Sequence, residues 1–186
     1  MKGTITGTLL VLVLLGGLLQ GCRQPNNPAR VLALDSLIRT ADSLAMRLDA
    51  IDTVPLLHMD SVYKMQLALP EASFKDTLQR DTALVVGNYF RAMKKSLPRA
   101  LSERRESRRA VEESRSKLRD LHEDATKGIW TEEQELGYFE EERMIMAGLS
   151  HSTTVIEKSA ATCIREWEKG HVIVDSVLAA RRRTIH

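Results

Sequence analysis

From residue 31 onward, apolar residues recur at alternating steps of three and four. Leu34, Leu37 with Ile38, Ala41, Leu44 with Ala45, Leu48 and Ile51 fall on one stripe, the spacing that gives a helix a single core-facing side. Asp49-Ala50-Ile51-Asp52-Thr53-Val54-Pro55 is expected to close this helix, because proline disfavours helical backbone at the residue before it. A second, shorter apolar helix is expected over 56–69, ending at Pro70. A third begins between residues 71 and 81, with Leu78, Val85, Tyr89, Ala92, Met93 and Leu97 among its apolar positions. Pro98 lacks a backbone donor and is expected to kink or break that helix.

Over 99–127 the apolar stripe thins to Leu101, Val111, Leu118 and Leu121, with arginine and glutamate between them. Such a helix packs on one partner or projects into solvent. Gly128 supplies a C-terminal stop. Thr131-Glu132-Glu133-Gln134 has the form of a capping box. The helix it starts carries Leu136, Phe139 and Met146, and Gly148 with Ser150 is a candidate interruption. From residue 153 the stripe runs Ile156, Ala160, Cys163, Trp167, Gly170, Val174 and Val177, so Gly170 reads as an interior glycine permitting close helix approach. The short turn at 128–131 predicts antiparallel neighbours, with Arg115, Lys117 and Arg119 opposite Glu140, Glu141 and Glu142. No alternating strand pattern occurs. The expected fold is all-α: an elongated helical bundle or antiparallel helical hairpin with shorter N-terminal helices packed on it.

Composition fits this pattern. The 186 residues are 4% aromatic and rich in good helix formers, and 27 Lys and Arg nearly balance 25 Asp and Glu. That balance favours neither a nucleic-acid partner nor an acidic tail. The start of the chain differs. Lys2 precedes an unbroken apolar run at 9–15, and small residues follow it, which are the parts of a secretory signal peptide. The run is shorter than the roughly 20 residues of a spanning helix. It ends at Leu19-Gln20-Gly21-Cys22. This stretch resembles the lipobox of bacterial lipoproteins, although Gln20 is an unusual residue within it. The resemblance implies lipidation of Cys22, by a diacylglyceryl group on its thiol, and cleavage just before it. Residues 1–21 are then the removed signal peptide, 22–30 a polar, proline-containing tether, and 31–186 one helical domain. With Cys22 acylated, Cys163 has no partner for an intrachain disulfide.

The chemistry-bearing residues form no recognisable catalytic constellation. Glu168 and His171 have Glu-x-x-His spacing, but no second copy of that motif completes a carboxylate-bridged metal site. His122-Glu123 lacks the second histidine of a metalloprotease helix. Cys163 lies on an apolar stripe and reads as a small buried hydrophobe. Ser150-His151-Ser152 has no acid at a diagnostic spacing. No cofactor, no metal and no enzymatic activity are expected. Arg104, Arg105, Arg108 and Arg109, and separately Arg181, Arg182 and Arg183, are candidate contacts for anionic lipid or an anionic envelope polymer. Glutamates around the first cluster favour a solvated face, and the second suits a helix C-terminus.

One further pattern exceeds what composition would give. Asp followed by Ser or Thr and then an apolar residue occurs at Asp35-Ser36-Leu37, Asp42-Ser43-Leu44, Asp52-Thr53-Val54, Asp60-Ser61-Val62, Asp76-Thr77-Leu78, Asp81-Thr82-Ala83 and Asp175-Ser176-Val177, seven of the ten aspartates. Helix capping explains some of these, but Asp42 and Asp175 fall inside helices. The triplet resembles the acceptor motif of the general O-glycosylation system of Bacteroidetes-type bacteria. That resemblance implies a glycoprotein with sugar at Ser36, Ser43, Thr53, Ser61, Thr77, Thr82 and Ser176. Some lipoproteins of those bacteria reach the cell surface through an acidic stretch after the cysteine, but Arg23-Gln24-Pro25-Asn26-Asn27 has none. The expectation is a lipid-anchored, periplasm-facing outer-membrane protein that binds or scaffolds another envelope component. The alternative is a helical module holding a small molecule or anionic polymer, with a polar-lined concavity near the stretch Arg104 to Arg109.

Overall fold

A computed structural model describes residues 27–67 and 78–184, with side chains described to residue 180. The described chain is helical with no strand. Helix α1 spans Pro28–Asp49, α2 Thr53–Leu67, α3 Arg80–Pro98, α4 Arg104–Thr126 and α5 Glu132–Thr184. A five-residue π turn, Arg99–Glu103, joins α3 to α4, so these form one 47-residue arm. The 53 residues of α5 form the other arm, about 80 Å long at ~1.5 Å per residue.

Local chemistry sets the boundaries. The Asn27 side chain accepts from the Arg30 amide at 3.1 Å, and Pro28 occupies the first helical turn, where its missing donor costs no intrahelical bond. Residues 28–30 therefore belong to α1 and not to the tether. Asp52 Oδ1 accepts from the Val54 amide at 2.9 Å and caps α2. Pro55 consequently lies in the first turn of α2, where backbone donors lack intrahelical partners, and α1 has already ended at Asp49. At Pro98 the chain neither breaks nor sharply ends; it widens into the π turn, a known way to absorb an interrupted hydrogen-bond ladder. Gly128 adopts φ 60°. Its amide reaches the Ala125 carbonyl at 3.2 Å, and the Ile129 amide reaches Asp124 at 3.1 Å, the paired bonds of a Schellman stop. The Gln134 amide bonds Thr131 Oγ1 at 3.3 Å, and the Thr131 amide bonds Gln134 Oε1 at 3.1 Å, which completes the reciprocal cap.

The α3–α4 arm folds back antiparallel to α5, and α1 and α2 lie end to end along the groove between them. Two hydrophobic clusters result. One unites Leu34, Leu44 and Leu48 of α1 with Val111 and Leu118 of α4 and Met146 and Ile156 of α5. The other unites Leu56 and Met59 of α2 with Tyr89, Met93 and Leu97 of α3 and Cys163 and Val174 of α5. Ile51, in the link between α1 and α2, packs against both. α5 runs unbroken through Gly148 and Ser150, because Met146, Thr153 and Ile156 on either side are buried; Thr153 Oγ1 satisfies itself on the Leu149 carbonyl at 2.8 Å. Gly170 is inside α5 and faces α3, where an added Cβ would lie 3.0 Å from Tyr89 Cβ. At the opposite end, Arg30 Nη1 pairs with the fully buried Glu135 at 3.3 Å, fastening the start of α1 to the start of α5.

Candidate functional site

The arginines after the π turn are placed where two helix ends meet. Arg104 Nε donates to the Leu48 carbonyl at 2.7 Å, and Arg108 Nε donates to both carboxylate oxygens of Asp49 at 3.0 Å. Cations there satisfy a terminal carbonyl and meet the negative end of the α1 dipole. The hydrogen bonds that Arg108 donates to Glu112 and then to Asp49 raise its pKa. Arg109 lies 3.7 Å from Glu113 one turn on. Arg105 is exposed. With Thr53, Asp60, Lys64 and Ser102 it lines a shallow groove of about 510 Å3 between α2 and the π turn. Arg181, Arg182 and Arg183 fall in the last turns of α5, with side chains outside the described residues. Cys22 and Thr77 also lie outside them.

The arginines belong to a longer arrangement that the sequence reading missed. Asp35, Asp42 and Asp49 recur every seven residues on α1, and His122, Arg115 and Arg108 recur every seven on α4. The antiparallel packing brings them together in order: Asp35 to His122 at 3.2 Å, Asp42 to Arg115 at 3.1 Å and Asp49 to Arg108 at 3.0 Å. Arg115 also bonds Glu112 at 2.5 Å. Exposed pairs of this kind fix register more than they add stability. The charges expected across the hairpin are brought together only in part. Lys117 acts on Glu142, Arg115 turns to α1, Glu140 pairs with Arg143 at 2.7 Å, and Arg119 is exposed.

The triplet hydroxyls divide by exposure. Ser36, Ser43, Ser61 and Ser176 are exposed, whereas Thr53 and Thr82 are half-buried. Ser176 Oγ also donates to the Val172 carbonyl at 2.8 Å. The aspartates beside them have structural partners. Asp60 pairs with Lys64 at 2.6 Å, and Asp175 accepts from Gln66 at 3.0 Å. Gln66 in turn accepts from the buried Tyr89 hydroxyl at 2.9 Å, and burial pushes the Tyr89 pKa up to about 12.

Other candidates occupy packing positions. Burial raises the Cys163 thiol to about 11, and its sulfur lies 3.9 Å from the Ala92 carbonyl, which suits a hydrophobe and not a thiolate. His171 stacks on Trp167 with ring centroids 4.9 Å apart, and His58 meets the same indole edge-on at 5.7 Å. Among the described residues no group of three His, Cys, Asp or Glu side chains is placed to hold a metal ion, and no helix is long and apolar enough to cross a membrane.

A second groove, about 320 Å3, lies between α4 and α5 beside the hairpin turn. Asp120, Asp124, Glu141 and Glu142 line it together with Trp130 and Tyr138, and Lys117 contributes its one cation. Trp130 and Tyr138 meet edge to face at 5.0 Å. Glu142 is only 6% exposed, and its Oε2 has no hydrogen-bond partner. Desolvation raises its pKa, against the opposing pull of Lys117 and a hydrogen bond from Ser114. The sequence carries a faint signal of this groove, in acidic pairs flanking an aromatic turn.

No protein-family model, no curated protein and no solved structure matches this chain.

Proposed function

We propose that this chain is a non-enzymatic lipoprotein, anchored through Cys22 on the periplasmic side of the outer membrane, that binds or scaffolds another envelope component. The observation that carries this reading is the outer side of α2. Leu56, Met59 and Tyr63 bury its inner side, yet Val54, Leu57 and Met65 are 73%, 56% and 63% exposed. These three share one stripe at helical spacing. A short helix that is apolar on both sides and covered on one is suited to a protein partner. The proportions agree with that role. With lipid on Cys22, residues 23–27 alone separate it from α1, about 17 Å when extended. The 22 residues of α1 then raise α2 a further ~33 Å from the bilayer.

The test is crosslinking in intact cells followed by recovery of a tagged chain, comparing wild type with the double change Leu57→Glu and Met65→Glu. A stoichiometric protein partner captured by wild type and lost in the variant supports the reading. No partner, or equal capture by both, refutes it. The anchor is tested separately with a tagged fatty acid: wild type is labelled and Cys22→Ala is not, and equal labelling removes the anchor.

A second reading, a ligand-binding module for an anionic polymer, draws on the groove at Arg105. Arg104 and Arg108 are already engaged by α1 and Lys64 by Asp60, so binding there would rest on Arg105. Retention of a sulfated polysaccharide by wild type and its loss in Arg105→Glu would favour it.

A further inference from the structure

The geometry points to a binding site for an organic ammonium group in the groove between α4 and α5 beside the hairpin turn. This inference stands apart from the anchoring and scaffolding roles and survives the failure of either. Four carboxylates face one lysine around the groove, so its lining carries excess negative charge. Its aromatic members, Trp130 and Tyr138, are paired edge to face at 5.0 Å. Carboxylates beside aromatic rings are the surroundings in which an ammonium is held by charge and by ring quadrupoles together.

Glu142 is the independent observation. More than nine-tenths of it is buried, it lines the groove, and Oε2 makes no hydrogen bond. Ser114 bonds this carboxyl group, so the orphan is the single oxygen Oε2, and a buried acceptor atom left without a hydrogen bond is rare. An ammonium offers three donors on a compact charge; Oε2 is closed to solvent, so the Glu142 carboxyl would turn toward the groove to meet it beside the rings. A small metal ion does not fit the same lining, because among the described residues no three acidic or imidazole groups converge closely enough to ligate one. The volume, about 320 Å3, admits an aliphatic amine and not only its charged head.

Two sources carry this chemistry, a free polyamine and the headgroup of an aminophospholipid. The start of α1 is pinned beside the groove by the Arg30–Glu135 pair, so the site lies at the end of the bundle nearest the N-terminal segment. The test uses the chain from residue 23, which carries the whole described bundle. Spermidine is titrated calorimetrically, and in a parallel arm the protein is sedimented with vesicles of phosphatidylethanolamine or of phosphatidylglycerol, which has no ammonium. Saturable binding of spermidine, or selective sedimentation with phosphatidylethanolamine, supports the site and identifies its source. Glu142→Gln and Tyr138→Ala are each expected to weaken that binding about tenfold, the equivalent of one lost charge or ring contact. Binding to wild type should also strengthen as pH rises and Glu142 ionises, and this dependence should flatten in Glu142→Gln. Circular dichroism confirms that both variants are folded. Saturable binding of neither source, equal displacement of bound spermidine by an equal concentration of magnesium, or wild-type affinity in both variants overturns the inference.

Discussion

Replacing Gly170 by alanine separates two effects that usually travel together. In a helix interior, glycine costs about 1 kcal/mol relative to alanine, so the substitution alone should stabilise. At Gly148 and Gly137, both exposed in the same helix, an added Cβ meets nothing within 4 Å. Gly148→Ala and Gly137→Ala should therefore each stabilise by about 0.5–1 kcal/mol. At Gly170 the new methyl would lie 3.0 Å from Tyr89 Cβ, 3.2 Å from Cδ2 and 3.4 Å from Cγ. The Cβ is bonded directly to the α3 backbone, and the Tyr89 ring is fully buried and held at its hydroxyl by Gln66. Tyr89 cannot swing aside, so α3 itself must shift. Overpacking of this kind costs about 1–3 kcal/mol, and Gly170→Ala should fall below Gly148→Ala by that amount. Gly170→Leu should fall further. The assay is urea unfolding followed at 222 nm, supported by thermal melts in which 1 kcal/mol moves the midpoint by about 2–4 °C for a chain of this size. If Gly170→Ala stabilises as much as Gly148→Ala does, α3 and α5 are not in close contact there, and the packing of the second cluster is wrong.

Three other outcomes follow from side-chain environments. Arg47 holds Glu157 through two hydrogen bonds, at 2.9 and 2.6 Å, with both side chains about one-third exposed; Glu157→Gln should therefore cost no more than about 1 kcal/mol at neutral pH. The hydrogen bond from Arg47 lowers the Glu157 pKa, so its contribution is present above the unfolded value of about 4.3 and lost as pH falls through the folded one. Urea melts of wild type and variant should converge in strong acid, and a gap that persists there would contradict the ion pair. Glu142 has the opposite sign: burial raises its pKa, so the native state is favoured below about pH 4.3 and loses stability as pH rises through the folded value. Glu142→Gln should raise the melting temperature at neutral pH and change little in acid, and destabilisation at neutral pH would contradict this. Intact mass of the native protein should show sugar increments that are lost when Ser36, Ser43 and Ser176 become alanine, Ser61 lying instead on the exposed apolar stripe of α2; a mass equal to polypeptide plus lipid would leave the Asp-Ser triplets as helix-surface features alone.

Features decided within a few residues were legible in the sequence. The α1 stripe, the Gly128 stop and the Thr131–Gln134 cap each depend on neighbours within one or two turns, and each lies where local spacing puts it. Pro98 shows where that reading ends. A lost backbone donor is compatible with a kink, a break or a π turn, and the choice is made by packing: Ala100 and Leu97 must both reach the α5 side of the cluster. Continuity through Gly148 is likewise decided by buried residues on either side of it. Asp35, Asp42 and Asp49 are spaced by seven in the sequence, but that spacing acquires meaning only with α1 lying antiparallel along α4, which no local pattern encodes. The acidic and aromatic groove joins residues from two helices and a turn, so the sequence held its parts and not its shape.

The position of Ile51 between the two clusters has an architectural consequence. The cluster nearer the hairpin turn is closed by α1, α4 and the first half of α5. Everything between Asp52 and Arg104 is an insert relative to it, completed by the rest of α5. The insert leaves and returns at almost the same place, since Arg104 Nη2 lies 3.9 Å from Asp49 Oδ1. The bundle thus has two storeys, and the upper one is topologically removable: joining α1 directly to α4 and shortening α5 would leave the lower core with all of its own helices. The reach of the bundle beyond its first cluster is therefore set by this insert and the second half of α5, with Ile51 as the joint between them.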